Sequence, residues 1–370
     1  MKNNRDARVL IKKVKKLSYR ILLNAILIAI ISAFTIYSAT YTKTTSFLKK
    51  DLIWLLLGIV VYFIFAMIDF KLYRRYSRLI YGISLTSLVA VFAFGVTKLG
   101  AKRWIDLGFM NLQPSEFAKI FMVLTFSALL VNRYKTSFSG LKDVAKSGIH
   151  ILPVFILILK QPDLGTSLTL IAIFGVLIFV HGIDTRTIII MLGSLLAFVP
   201  FAYFFLLKEY QQTRILTFLN PEQDLLGSGW NVTQSMIAVG SGGLFGKGLF
   251  QGTQSKLKFL PESHTDFIGA VFLEETGFVG GLILLLLYYS LIYNIVRIGN
   301  NSNDEYGRLI CYGVAAIIFF HTTVNLAMII GLMPVTGLPL LLMSYGGSSY
   351  IFTFMMLGIV QSVKVHSDKY

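Results

Sequence analysis

Ten apolar runs restrict the fold of this chain more than any other feature. A run of about 18 or more apolar residues is long enough to cross a bilayer as a helix. The runs cover residues 21–38, 52–68, 79–96, 117–131, 149–159, 164–180, 187–207, 267–296, 309–330 and 338–363. The run at 149–159 is short, and we expect its helix to be tilted or to continue through Lys160 and Gln161. Because a lipid-exposed backbone must satisfy its own hydrogen bonds, the pattern predicts an all-α polytopic membrane protein with about ten transmembrane helices.

The charges support this class and give an orientation. The net charge is +16, but only 14% of the residues are charged, and eight of the 34 Lys and Arg residues lie in the basic N-terminus, residues 1–20. If that N-terminus is cytoplasmic, ten crossings place both termini in the cytoplasm. The cytoplasmic segments then hold 21 of the 34 cations, whereas the longest outside segment, residues 208–263, holds five. This distribution follows the positive-inside rule and predicts one membrane domain over residues 1–370 with no nucleic-acid partner.

The outside segment 208–263 is long for a loop between membrane helices, and long loops are usually functional or partly structured. Residues 231–239 are predicted to form a short interfacial helix. The glycine-rich stretch 240–248, GSGGLFGKG, has the wrong spacing for a phosphate loop, because Gly248 follows Lys247 where Ser or Thr is required. A flexible loop is favoured there, with a diphosphate held by backbone amides and Lys247 as the alternative.

Asp266 is the candidate general base. The sequence changes from a polar loop to an apolar run at this residue, which predicts that it lies in the first turn of a helix on the outside. A helix N-terminus favours an ionised carboxylate, and a carboxylate at the mouth of a membrane helix is suited to accept a proton. The alternative is that Thr265 and Asp266 only cap the helix.

Other polar residues interrupt the apolar runs. Glu116 and Lys119 share a helix face, where they form an ion pair or line a polar cavity. Asp163 is predicted to cap the sixth helix. Adjacent acids at 274 and 275 are expected to face protein or water, and a pair at 321 and 325, His and Asn, to link helices through hydrogen bonds.

The stretch SYGGSS, residues 344–349, interrupts the last apolar run. Small residues here favour close helix packing, and a broken helix that lines a cavity is the alternative.

Five stretches together resemble the SEDS family of polytopic membrane glycosyltransferases, and within it the type that acts in elongation. They are GAKRWIDLGFMNLQPSEFAK (100–119), QPDLGTS (161–167), YQQTRILTFLNPEQDLLGSGWNVTQS (210–235), GSGGLFGKGLFQGTQSKLKFLPESHTDFIGAVFLEETGFVG (240–280) and GLMPVTGLPLLLMSYGGSS (331–349). Gly269 and Leu341 depart from residues common in the family, and neither touches the expected chemistry.

The resemblance implies a peptidoglycan glycosyltransferase that polymerises lipid II at the outer face of the bacterial cytoplasmic membrane. It implies work in cell elongation and cell shape, with a class B penicillin-binding transpeptidase, other membrane proteins of the elongation complex and the growing lipid-linked strand as partners. The essential aspartate of the family is the one in HTDF, which is Asp266 here. A lipid II flippase, a scaffold for the transpeptidase, and a division or sporulation member of the family are the alternatives.

This chemistry needs a base and cations for the leaving pyrophosphate. No organic cofactor is expected, and a Mg²⁺ or Mn²⁺ ion bridging Asp266 and the pyrophosphate is compatible with oxygen ligands. The candidate substrate-binding residues are Lys102, Arg103, Trp104, Gln113, Glu116, Lys119, Asp163, Arg214, Lys247, Gln254, Glu262, His264 and Ser344.

Overall fold

The computed structural model describes residues 13, 16–41, 46–98, 101–134, 138, 140–205, 207, 209–219, 228–256, 259–260 and 263–367. In chain order its elements are α1 (Tyr19–Thr40), α2 (Ser46–Met67), α3 (Phe70–Arg75), α4 (Ser77–Phe94), β1 (Val96–Lys98), β2 (Ala101–Asp106), β3 (Asn111–Leu112), α5 (Pro114–Arg133), α6 (Leu141–Lys160), α7 (Leu164–His181), α8 (Thr185–Phe205), α9 (Glu209–Leu219), α10 (Ser228–Ser241), α11 (Thr253–Lys256), α12 (Ile268–Asn301), α13 (Glu305–Ile329) and α14 (Gly347–His366).

Within the described residues, nine helices are long and apolar enough to cross a membrane, namely α1, α2, α4, α5, α7, α8, α12, α13 and α14. The fold is therefore that of an all-α polytopic membrane protein, as predicted. The short run at 149–159 belongs to α6, which has 20 residues. At about 1.5 Å per residue, α6 also matches the thickness of a bilayer. Its extra length comes mainly from residues before the run, starting at Leu141, rather than from an extension through Gln161.

The buried core lies between α5, α13 and α14, most of whose side chains are enclosed. By contrast, α8 buries only Thr187 and lies at the periphery. The cavity described below opens at one end of the core helices, where α5 and α14 begin and α13 ends.

Because successive crossings alternate in direction, one end of the bundle collects the turn before α12, the start of α5 and the start of α14. We call this the Asp266 end. It also carries a small antiparallel sheet in the order β1–β2–β3, in which Thr97 pairs with Lys102 and Ile105 with Leu112. The apolar pattern did not predict this sheet, because its strands are only two to six residues long.

Three boundaries correct the sequence predictions. Asp266 lies in a turn just before α12, whose N-cap residue is Phe267, rather than in the first helical turn. The last apolar run is not one helix: residues 331–346 are non-helical and α14 begins at Gly347. The predicted helix at 231–239 is confirmed and is longer, as α10.

The stretch 240–248 is a packed element and not a loose loop. Its backbone amides at Lys247 and Gly248 donate to the carbonyls of Glu274 and Glu275, at 3.0 Å each. It covers a break in α12 at Gly277, where φ is +65°. The prediction of a flexible loop is therefore wrong, because backbone hydrogen bonds hold the stretch against a membrane helix.

Candidate active site

A cavity of about 280 Å³ opens at the Asp266 end, between the sheet, α5, α9 and the non-helical segment 331–346. Six predicted site residues line it: Arg103, Trp104, Gln113, Glu116, Arg214 and Asp266. They come from four separate parts of the chain. Arg103 and Asp266, which are 163 positions apart in the sequence, line the same cavity.

The turn that carries Asp266 is fixed by α13. The amide Nδ2 of Asn325 donates to the backbone carbonyl of Asp266 and to that of Leu338, both at 2.9 Å. One buried side chain thus holds the Asp266 turn against segment 331–346. On the other side of the cavity mouth, a Cβ atom added to Gly337 would stand 3.9 Å from Oδ2 of Asp266.

A second connection joins the same two pieces of chain. Ser344 Oγ donates to the carbonyl of Thr265 at 2.8 Å and accepts from the amide of Leu340 at 2.9 Å. The amide of Tyr345 donates to the carbonyl of His264 at 3.0 Å. Ser344 and His264 therefore shape the turn from behind, and neither is part of the cavity lining.

Tyr345 does line the cavity, although we did not predict it as a site residue. Its ring packs against Phe47 and His264, with centroids 5.0 and 5.9 Å away. Burial, and then the negative charge of Asp51, raises the pKa of the Tyr345 phenol above its ordinary value. The phenol consequently keeps its proton at neutral pH.

Arg103 reaches the cavity from β2 and is anchored at the start of α7. Its Nε donates to the carbonyl of Gln161 at 3.0 Å, its Nη2 donates to the carbonyl of Pro162, and its Nη1 lies 4.0 Å from Oδ1 of Asp163. Lys102, the neighbouring residue, turns away and donates to the carbonyl of Phe92 at 2.7 Å. Of these two cations, only Arg103 lines the cavity.

Asp163 lies beneath the lining and caps α7, as predicted, by accepting from the amide of Thr166 at 3.1 Å. Its other oxygen accepts from Gln113 Nε2 and Ser115 Oγ, both at 3.1 Å. It is 3% exposed. The carboxylate therefore positions Gln113 and the start of α5.

A buried chain of contacts leads from the cavity into the core. Glu116 lines the cavity, and its Oε2 lies 3.0 Å from Nζ of Lys119, which confirms the predicted ion pair. Lys119 is fully buried and also donates to Nε2 of His321 at 2.8 Å. His321 in turn donates through Nδ1 to the carbonyl of Pro339 at 2.9 Å. Because Nδ1 faces an acceptor, the proton of the neutral ring belongs there and Nε2 is left to accept.

His321 and Asn325 do not bond each other. Each binds the segment that lines the cavity, so the predicted hydrogen-bonded linkage between helices exists through His321 and Lys119.

Two further candidates lie outside the cavity, around Glu274. Lys247 Nζ donates to Oε1 of Glu274 at 2.7 Å and to Thr253 Oγ1 at 3.0 Å. The backbone amide of Gln254 donates to the same carboxylate at 3.3 Å. The structure thus places Lys247 and Gln254 in a cluster that attaches the glycine stretch to α12. Glu262 falls outside the described residues.

Glu274 and Glu275 are both buried, which confirms that they face protein. Glu275 accepts from Ser38 Oγ of α1. A Cβ atom added to Gly252 would contact Glu274 Oε2 at 3.1 Å and Glu275 Oε1 at 3.2 Å. The two carboxylates therefore converge on one loop backbone, despite pointing in different directions on the helix.

Sequence reasoning named none of the lining residues that come from segment 331–346 and the start of α14. These residues include Pro339, Tyr345, Gly346, Ser348 and Ser349. The signal was present, since SYGGSS was recognised as an interruption of an apolar run, but only Ser344 was named from it.

Residues 15–369 match the FtsW/RodA/SpoVE family of cell cycle proteins. The chain belongs to this family. The Escherichia coli K12 protein named peptidoglycan glycosyltransferase MrdB is 40% identical over 349 residues, which are 93% of this chain and 92% of that protein. The resemblance to the SEDS family is thereby confirmed.

Solved structures agree with this assignment. A chain solved in a study of the structural coordination of polymerization and crosslinking by a peptidoglycan synthase complex has a TM-score of 0.81 at 31% identity, over 94% of this chain and 97% of that one. The rod shape determining protein RodA of Thermus thermophilus has a TM-score of 0.71 at 29% identity, over 96% and 98%. This chain therefore has the same fold as those two solved proteins.

The arrangement is suited to reactions of anionic substrates that stay in the membrane. Two guanidinium groups, of Arg103 and Arg214, line the same cavity as the carboxylates of Asp266 and Glu116. Such a site offers positive charge for a phosphate group and a carboxylate to accept a proton.

Proposed function

We propose that this chain is a peptidoglycan glycosyltransferase that polymerises lipid II, with Asp266 as the general base. One observation carries the proposal: Asp266 shares a cavity with Arg103 and Arg214 at the end of a membrane bundle. The names of its relatives, at up to 40% identity over most of the chain, supply the substrate class.

In the proposed reaction the attacking group is a sugar hydroxyl, which is a poor nucleophile while it keeps its proton. Asp266 accepts that proton as the oxygen bonds to the anomeric carbon of the donor sugar. The bond from that carbon to the lipid-linked pyrophosphate breaks, and the electron pair leaves with the pyrophosphate. Arg103 and Arg214 stabilise the negative charge that develops there. Trp104 supplies an apolar face for a sugar or the lipid.

Arg214 lies on α9, and its Nη1 donates to the carbonyl of Val335 at 3.0 Å, which holds its side chain in place. Arg103 is held by three residues at the start of α7. Both guanidinium groups are therefore fixed before substrate arrives, which reduces the reorganisation needed in the transition state.

A divalent cation is compatible with this site only if the substrate supplies ligands. Among the described residues no three His, Cys, Asp or Glu side chains converge as metal ligands. Mg²⁺ characteristically binds one or two carboxylates together with substrate phosphates, and Asp266 would be the carboxylate here. Such an ion would neutralise charge on the pyrophosphate.

A lipid II flippase is the alternative function. Transport would require polar residues along a path between both faces. In the described helices, the buried polar chain of Glu116, Lys119 and His321 ends at the carbonyl of Pro339, which itself lines the cavity. This charged chain therefore returns to the Asp266 end instead of crossing the bundle, which favours an enzyme over a transport path.

We further infer that the chain resides in the bacterial cytoplasmic membrane with the Asp266 end outside, and that it acts in cell elongation with a class B penicillin-binding transpeptidase. The basic loops support the orientation. The solved chain from a peptidoglycan synthase complex supports a crosslinking partner.

The test uses purified protein, alone and with its cognate transpeptidase, incubated with lipid II in detergent, and glycan products resolved on a gel. Asp266→Asn keeps the size of the side chain and the backbone carbonyl that binds Asn325, so the fold is expected to survive. Loss of a general base lowers the rate by about 100- to 10,000-fold.

Asp106→Asn is the matched control, because Asp106 is an exposed acid of β2 at the same end and outside the cavity lining. Long glycan chains from wild type and Asp106→Asn, and none from Asp266→Asn, support the proposal. Glycan chains from all three proteins would show that Asp266 is not the general base and has only a structural role. The absence of chains even from wild type with its partner would contradict polymerase activity.

A further inference from the structure

A basic recess lies at the end of the bundle opposite Asp266. It has a volume of about 260 Å³ and forms where α1 begins and where α12 and α14 end. Its lining consists of Ser18, Arg20, Asn294, Arg297, Ile298, Asn301 and Lys364. None of these residues takes part in the proposed glycosyl transfer.

Three cations from three separate helices converge on this recess. Lys364 lies close enough to Arg20 and Arg297 to experience their charges. In the part of the chain that the structure describes, no carboxylate lies within 4.0 Å of the guanidinium group of Arg20 or Arg297. Like charges at short range repel each other. A bound anion would convert this repulsion into attraction.

The ends of the helices explain two of these cations but not the third. Arg297 and Lys364 lie near the C-termini of α12 and α14, where the helix dipole favours positive charge. Arg20 lies in the first turn of α1, where the dipole favours negative charge. The placement of Arg20 is therefore unfavourable within its own helix, and a ligand between the three cations would offset that cost.

The remaining lining suits a phosphate group in particular. The side-chain amide of Asn301 and the hydroxyl of Ser18 add hydrogen-bond donors to the guanidinium and ammonium groups, whereas the amide of Asn294 already donates to the carbonyl of Ser290 at 2.6 Å. Phosphate oxygens accept several such bonds at once, and bonds from charged donors are the strongest.

The surroundings of the recess indicate where the phosphate comes from. On α1 the neighbouring Tyr19 and Leu23 are 62% and 56% exposed, and on α12 Tyr293 is 53% exposed. Large apolar side chains exposed beside a basic recess at the ends of membrane helices fit a ligand that has both an acidic headgroup and acyl chains.

We propose that this recess binds the phosphate of an anionic phospholipid in the leaflet opposite the Asp266 end. The bound lipid would hold the start of α1 to the ends of α12 and α14. A free phosphate anion shares the headgroup chemistry but gains nothing from the apolar side chains nearby. The proposal does not depend on the glycosyl-transfer chemistry, because the recess and the cavity lie at opposite ends.

The test titrates full-length protein in neutral detergent with short-chain phosphatidylglycerol, and follows binding by the rise in thermal unfolding temperature. Phosphatidylcholine of the same chain length and inorganic phosphate are run in parallel. The recess variant is Arg20→Gln/Arg297→Gln/Lys364→Gln. Because each cation near a headgroup contributes to binding separately, removal of three is expected to weaken phosphatidylglycerol binding by about 100-fold.

The matched control is Lys142→Gln/Lys146→Gln/Arg186→Gln. It removes three exposed cations from the same end of the molecule without touching the recess. Near wild-type binding by this control, and loss only in the recess variant, supports the proposal. Equal losses in the two variants would show diffuse surface electrostatics and overturn it.

Two other outcomes also overturn it. Inorganic phosphate that competes as well as phosphatidylglycerol would identify a free-anion site, and equal binding of phosphatidylcholine would exclude recognition of net charge. Should the triple variant fail to fold, Arg20→Lys and Arg20→Gln are compared instead. Retained binding in the first and weakened binding in the second is the result that supports the proposal, and identical binding contradicts it.

Discussion

Asn325 is the side chain through which α13 fixes the proposed catalytic turn. Its Nδ2 bonds two carbonyls, of Asp266 and Leu338, so Asn325→Leu would leave both acceptors without this donor. Each unsatisfied buried acceptor costs about 1–3 kcal/mol, and a carboxylate displaced by about 1 Å loses roughly 100-fold in rate. We expect lower thermal stability and a fall in kcat in the lipid II gel assay.

Thr322→Val serves as the control for that substitution. Thr322 is a buried residue of the same helix, one turn earlier, and its hydroxyl has no partner among the described residues. Replacing it should leave stability and glycan length near wild type. Equal activity in Asn325→Leu and Thr322→Val would show that Asp266 does not need this anchor.

Substitutions of Glu116 and Lys119 test whether this buried ion pair only supports the fold or also serves the reaction. Lys119→Met removes the partner of a carboxylate that is 3% exposed, and breaking such a pair costs about 3–5 kcal/mol. The double variant Glu116→Gln/Lys119→Met leaves neither member of the pair as an uncompensated charge, so we expect its thermal stability to recover.

Activity of the double variant separates the two roles. Glu116 lines the cavity, so we expect the double variant to make glycan chains poorly even though its thermal stability recovers. Wild-type chain length from the double variant would show that the pair only supports the fold.

At this scale the sequence predicted the pairing of charges within one helix, but not which way the charged side chains of the sheet and loops point. The spacing of Glu116 and Lys119 predicted their pairing, because three residues on a helix return to one face. Lys102 and Arg103 could not be separated, since the short strand that turns one towards the cavity and the other towards Phe92 left no apolar pattern. Lys247 was misplaced for a related reason: its partner, Glu274, is distant in sequence.

At the scale of elements, the glycine stretch 240–248 is where helix α12 and its covering loop fit together most tightly. A Cβ atom at Gly246 would stand 2.1 Å from the carbonyl oxygen of Glu275, whereas one at Gly243 meets nothing within 4 Å. Both glycines have positive φ, +79° and +55°. Gly243→Ala therefore bears only the backbone cost of about 1–2 kcal/mol.

Gly246→Ala carries the same backbone cost and a steric overlap with α12, which typically adds about 1–3 kcal/mol. We expect it to unfold at a clearly lower temperature than Gly243→Ala when both are heated in the same detergent. Matching unfolding temperatures for the two variants would mean that the stretch moves away from α12 at little cost.

The prediction of a flexible loop at residues 240–248 failed for a physical reason. Glycine-rich, polar segments usually signal mobility, and the sequence does not show that the amides of Lys247 and Gly248 bond the carbonyls of α12. Those carbonyls are available because α12 is interrupted at Gly277, which lies inside an otherwise continuous apolar run. Similarly, the non-helical segment 331–346 could be located only as a break at SYGGSS, because Leu338–Met343 is as apolar as a helix.

At the scale of the whole molecule, apolar length predicted about ten crossings, and the order of the charges predicted their direction. Nine of the described helices are long and apolar enough to cross a membrane, and α6, which is not among them, carries three charges in its first two turns and Lys160 at its end. Those charges, Lys142, Asp143 and Lys146, belong to the basic end that the positive-inside rule assigns to the cytoplasm. The same rule predicts that the cavity faces outside, which the proposed use of lipid II at the outer face requires.

Cysteine labelling tests that orientation directly. Cys311 is the single cysteine of the chain and is fully buried, so Cys311→Ala provides a background without thiols. Leu107→Cys then reports the Asp266 end, in an exposed turn of the sheet, and Arg186→Cys reports the opposite end. A membrane-impermeant maleimide applied to intact spheroplasts is expected to label Leu107→Cys at once and Arg186→Cys only after lysis. The reverse pattern would place Asp266 in the cytoplasm and would exclude polymerisation at the outer face.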